Sequence, residues 1–181
     1  QPENPMFQTD QLYQDKPVSH WIQALESDDD SVCLEAIEAF RTCVPILAAA
    51  LKHKHAEIRR AAALFLADLR EDGMAAVPAL SSLLEDVEED VRGLAAKALG
   101  CMGKEAGPAV PALVSALGDP ALTIEALEAL GHIGPGARPA EPAVLEILSR
   151  IGSPARARAS AATALGALGA LALIAAAAWV L

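Results

Sequence analysis

The chain has 181 residues, of which 53% are hydrophobic but only 3% aromatic, so alanine and leucine must supply nearly all of the burial. That composition excludes global disorder and a β-sandwich or barrel, because alanine and leucine favour helix and the chain is too apolar to stay unfolded. A net charge of −10 excludes unspecific nucleic-acid binding, since phosphates would be repelled. The charge is uneven: residues 1–119 hold 20 acidic and 10 basic residues, and nothing after Arg158 is charged.

In chain order, residues 1–16 read as an extended leader. The first residue is Gln1 rather than Met, which fits a chain processed before this point. The expected location is therefore membrane-associated, on the exported or periplasmic side, with the cytoplasm as the alternative. From Pro17 onward a unit recurs: PVSHWIQALESDDDSVCLEAIEAF (17–40), VPILAAALKHKHAEIRRAAALFLADL (44–69), VPALSSLLEDVEEDVRGLAAKALGCMG (77–103), VPALVSALGDPALTIEALEALGHIG (110–134) and EPAVLEILSRIGSPARARASAATALGALG (141–169). Pro45, Pro78, Pro111 and Pro142 follow one another at 33, 33 and 31 residues.

Each unit reads as two helices. Proline in the first turn lacks an N–H that would go unused there, so Val-Pro opens the first helix. Leu51, Leu84, Leu117 and Leu148 close its apolar stripe, and an acidic or polar turn follows. Asp30, Glu57 and Asp90 are expected just ahead of a second helix starting near Val32, Ile58, Val91, Leu122 and Ala157. Ala95, Ala126 and Ala161 let neighbouring second helices approach, Leu99, Leu130 and Leu165 fill the space between them, and Gly103, Gly134 and Gly169 stop them. The step between the first two second helices is only 26 residues, which predicts a tight junction at 41–45.

The turn and second helix of unit three, Asp86, Val91, Arg92, Ala95, Ala96, Leu99 and Gly100, resemble the HEAT-repeat family. They are closest to the bacterial HEAT-like repeats that also occur in phycobilisome-lyase-type proteins. The resemblance spans about residues 17–169. It implies an all-α, right-handed α-solenoid of about five helical hairpins, with second helices on the concave face. It also implies a ladder of Asp and Arg between adjacent repeats. Arg59 and Arg158 stand where Arg92 does, but Cys33 and Thr123 replace the arginine, so the ladder is expected to be interrupted. A chromophore-lyase-like role is implied only through the shared repeat, since no bilin-handling residue carries over.

Candidate chemistry is sparse. The sequence has no GxSxG, no phosphate-binding glycine loop, no HExxH and no paired-cysteine zinc spacing, so no catalytic residue, cofactor or metal site is assigned. His53 and His55 stand two apart but are flanked by lysines, and they read as a solvated turn. His20 and His132 lie far apart in sequence, and His132 reads as structural. Cys33, Cys43 and Cys101 read as small buried hydrophobes. Trp21, with Phe7 and Tyr13, is expected to seal the open end of the first unit.

Two acidic turns are the candidate partner surface: Asp28, Asp29 and Asp30 in unit one, and Glu85, Asp86, Glu88, Glu89 and Asp90 in unit three. The second candidate is the apolar tail, residues 170–181, with Leu171, Leu173, Ile174, Trp179, Val180 and Leu181 as docking residues. A charge-free helix from residue 159 onward would run about 35 Å, enough to cross a ~30 Å hydrocarbon core. If residues 157–169 pack in the solenoid instead, the remainder covers only about 18 Å. The expected function is a non-enzymatic protein–protein interaction scaffold. The alternative is an accessory subunit of a membrane complex, anchored by its tail. The expected partners are other protein subunits.

Overall fold

A computed structural model describes residues 12–13, 15–24, 27, 29, 31–32, 34–36, 39, 43–149 and 154–169. They form an all-helical repeat array preceded by one small hairpin, in which β1 (Leu12–Tyr13) pairs antiparallel with β2 (Lys16–Pro17). The hairpin runs into α1 (Val18–Ala24). Trp21 of α1 is buried, with the Lys16 ammonium 4.8 Å from its ring centroid and the His20 ring edge-on at 5.5 Å. A cation on β2 thus sits over the face of the tryptophan. Phe7 lies outside the described residues, as do Asp28, Asp30 and Cys33.

The next units repeat one plan. First helices are short and open on Val-Pro or Glu-Pro: α2 (Val44–Ala50), α4 (Val77–Leu83), α6 (Val110–Ala116) and α8 (Glu141–Ser149). Second helices are longer: α3 (Ala56–Leu69), α5 (Glu89–Met102), α7 (Thr123–Ile133) and α9 (Ala155–Ala167). α3, α5 and α9 begin two residues earlier than the apolar pattern predicts, and α7 one residue later. Glu57 and Asp90 therefore sit inside the first turn, where they meet the positive end of the helix dipole without capping it. The linkers between these units are seven-residue 3-10 helices: Arg70–Ala76, Gly103–Ala109 and Gly134–Ala140. Ala76, Ala106, Ala109, Ala137 and Ala140 face inward from them and are fully buried, while their other side is exposed. At the first junction residues 40–42 lie outside the described residues, and Cys43, extended and buried, leads into α2.

Second helices pack extensively side by side, whereas first helices barely touch and the 3-10 segments fill the space between them. Alanine and glycine set this asymmetry. A methyl group on Gly100 would come within 3.1 Å of the Ala129 backbone, and one on Gly131 within 3.4 Å of Ala164. Leu66, Leu99, Leu130 and Leu165 are fully buried and bridge the two layers of the core. α9 belongs to this array: Ala157, Ala161, Ala164 and Leu165 are buried, and it packs on α7 and α8. Among the described residues no helix is long and apolar enough to cross a membrane. The tail residues Leu171, Leu173, Ile174, Trp179, Val180 and Leu181 lie outside the described residues.

Candidate interaction surface

The intrarepeat turns of units one to four share one device. A side chain in each of these turns accepts the backbone N–H two residues on: Asp29 from Ser31 at 2.9 Å, His53 Nδ1 from His55 at 3.1 Å, Asp86 from Glu88 at 3.0 Å, and Asp119 from Ala121 at 3.0 Å. This folds the turn as an Asx-type loop, with histidine standing in for aspartate in unit two. The Ser31 hydroxyl also donates to Asp29 at 2.6 Å, and these bonds hold the Asp29 carboxyl below its ordinary pKa. The His53 ring nitrogen is thus occupied by backbone, which fits the reading of His53 and His55 as a turn. Among the described residues no three His, Cys, Asp or Glu side chains are grouped to hold a metal ion.

Two rungs of the Asp–Arg ladder join the central units. Arg59 donates through Nε and Nη2 to both Asp86 carboxylate oxygens at 2.7 Å, and through Nη1 to the carbonyls of His53 and Lys54. Both side chains are about nine-tenths buried. Arg92 repeats this one unit later, donating to the Asp86 carbonyl at 2.9 Å and pairing with Asp119 at 3.2 Å. Burial pushes the Asp86 carboxyl up. The hydrogen bonds from Arg59 and Glu88 and the charges of Arg59 and Arg92 outweigh it and hold the carboxyl below its usual value. The bond to Asp86 raises Arg59 further above its already high pKa.

The interruptions are paired. Where Cys33 replaces the arginine of unit one, His53 replaces the aspartate of unit two. Where Thr123 replaces it in unit four, the turn of unit five, residues 149–156, carries no acidic residue. Losing one partner alone would bury a lone charge, so both go together. Thr123 takes over the local task, donating to the Asp119 carbonyl at 2.8 Å.

Asp86 is therefore a rung, held inside the array rather than offered to a partner. Asp29, Glu85, Glu88, Glu89 and Asp90 are exposed. The structure brings Glu89 and Asp90 together with residues the sequence reading passed over. They line a trough of about 660 Å³ over α5 and α7. Its floor includes Gly93, Gly100 and Ala129, and Glu125 and Glu128 of α7 line the far wall. Arg60 reaches in from α3, pairing with Asp90 at 3.2 Å, while Lys97 projects from α5. A second trough of about 510 Å³ continues between α7 and α9, sharing Glu128 and His132 with the first. His132 is thus a groove residue as well as the last-turn residue of α7. Glutamates three apart at 125 and 128 face one way on a helix, but only the stacking of α5 beside α7 makes them part of a cleft.

The model for HEAT repeats matches residues 18–100 and 44–120. No curated protein sequence matches the chain. Among solved structures, the complex of CpcE and CpcF of phycocyanin lyase from Nostoc sp. PCC7120 is similar, with 28% identity and a TM-score of 0.64. That match covers 96% of this chain and 72% of that one. A designed armadillo repeat protein in complex with the peptide (KR)4 matches at 19% identity and TM-score 0.62, over 82% of this chain and 80% of that one. An engineered protein matches at 23% identity and TM-score 0.62, over 90% and 85% of the two chains.

Proposed function

We propose a function from one premise: the chain belongs to the HEAT-repeat family. It is a non-enzymatic scaffold that holds a partner protein on its second-helix layer. The observation that carries this reading is the continuous trough over α5, α7 and α9, floored by small side chains and walled by charged ones. Repeat arrays present such surfaces because each unit contributes the same helix face to a shared wall. The acidic turn of unit three adds Glu85 and Glu88 beside it, and the tail beyond residue 169 is a second attachment point, to a membrane complex or to protein.

The likeness to the phycocyanin lyase complex supports a second reading, an accessory protein of chromophore attachment. The two readings separate by colour: a lyase-type accessory protein acquires visible absorbance when mixed with free bilin, and a scaffold does not.

The scaffold reading is tested by placing a photo-crosslinking amino acid at Lys97, inside the trough, or at Met74, exposed on a 3-10 segment outside it. In the native host, adducts are expected from position 97 and not from 74. Equal adduct yield at both positions, or none at either, would overturn the reading.

A further inference from the structure

Three observations on the trough point to the chemistry of what fills it. The first is charge. Glu89, Asp90, Glu125 and Glu128 line it against Arg60 and Lys97, and Arg60 is already engaged by Asp90. Glu89, Glu125 and Glu128 make no ion pair among the described residues, although Lys97 sits on the neighbouring helix. The surplus is negative and faces inward on one cleft.

The second is Gly93. The glycines at 100 and 131 are required by the close approach of the next helix, but a methyl group on Gly93 would meet nothing within 4 Å. A glycine in mid-helix weakens the helix and here returns no packing. What it does is leave the trough it lines without a side chain at that point, where a backbone lying across the helices has room. The third is shape. The two troughs join at Glu128 and His132, so the cleft is elongated and crosses the helices rather than closing into a pocket.

We propose that this trough binds an extended segment of a partner protein, whose lysine or arginine side chains enter between α5 and α7 to meet Glu89, Glu125 and Glu128 while its backbone crosses Gly93. The proposal rests on the scaffold reading and narrows it to one kind of ligand. An extended chain crossing the array meets a new helix at each step: its cations face carboxylates on α5 and α7, whereas Arg60 of α3 and Arg156 of α9 confine them to those two helices. Lys97 sets a limit on that segment: it disfavours a cation directly over the middle of α5.

The test uses the full chain and a fluorescein-labelled (KR)4 peptide, followed by anisotropy at about 150 mM salt, where exposed charges far apart are screened. The double variant Glu125→Gln/Glu128→Gln is expected to weaken binding about tenfold, and Gly93→Trp to do the same by filling the floor. The control is Glu71→Gln/Asp72→Gln, an equal charge change on a 3-10 segment away from the trough, expected to alter affinity by less than about twofold. Circular dichroism checks that each variant keeps its helices. Equal loss in both double variants would mean general attraction of a polycation to an acidic chain, and would overturn the proposal. So would no binding by the unaltered protein, or full binding by Gly93→Trp. If the peptide arm fails while position 97 still yields adducts, the basic ligand is wrong and the scaffold stands. Failure of both removes the scaffold reading as well.

Discussion

Arg59 and Asp86 show how one position can look like a binding residue and act as a structural one. By composition Asp86 belongs to an acidic run that faces water, yet it is about nine-tenths buried and bonded at 2.7 Å to the arginine of the preceding unit. Removing it strands the Arg59 guanidinium, so Asp86→Ala is expected to cost about 3 kcal/mol in chemical denaturation. The pair also fixes an acid limit. Because Asp86 titrates below its unfolded value of about 4, its contribution is fully present above that pH and is lost as pH falls through the lower, folded value. Asp86→Asn should therefore show a flatter loss of stability between about pH 4 and pH 2 than the unaltered protein. Equal slopes would mean that other carboxylates carry the acid transition. A residue-scale oddity points the same way: Arg70 has φ 52° where Gly103 and Gly134 hold the corresponding helix ends, so unit two accepts a strained non-glycine stop.

At the scale of the element, most of the fold was legible because its signals are local and recur. Val-Pro starts, leucine stripes and Gly103, Gly134 and Gly169 as stops each report on a single helix, and the structure places them as read. The 3-10 linkers were not legible, because their alanines, glycines and prolines resemble loop sequence and only burial between first helices makes them helical. The trough was not legible for a related reason. Glu125, Glu128 and Gly93 are unremarkable on their own helices, and their meaning lies in which helix stands beside which. Glycines separate the two kinds of position by experiment. Gly93→Ala should stabilise the protein by about 0.5–1 kcal/mol, since it gains helix propensity and meets no neighbour. Gly100→Ala should instead cost about 1–3 kcal/mol, because its methyl group would press on the Ala129 backbone at 3.1 Å. Thermal melts of the two variants moving in the same direction would contradict the packing described for α5 and α7.

Across the whole molecule, the two ladder rungs lie at the central junctions and the outer junctions have lost both partners. The rungs hold α3, α5 and α7 in register, which is also where the trough begins. Stability and recognition are thus built on the same helices but on opposite sides of the second-helix layer's requirements: buried charge at the turns, open charge along the cleft. The acidic run of unit three divides between them, with Asp86 a rung and Glu89 and Asp90 on the trough. The tail, the other apolar feature of the sequence, follows α9, which is itself part of the packed array.

The central claim is that the second-helix trough is where a partner is held. It is tested most directly by measuring the native size of the assembly this chain forms in gently prepared host extracts, with Gly93→Trp compared against Met74→Trp. The account predicts that Gly93→Trp releases the chain as a free, folded protein while Met74→Trp leaves the assembly intact. An assembly that survives Gly93→Trp at its full size would contradict it.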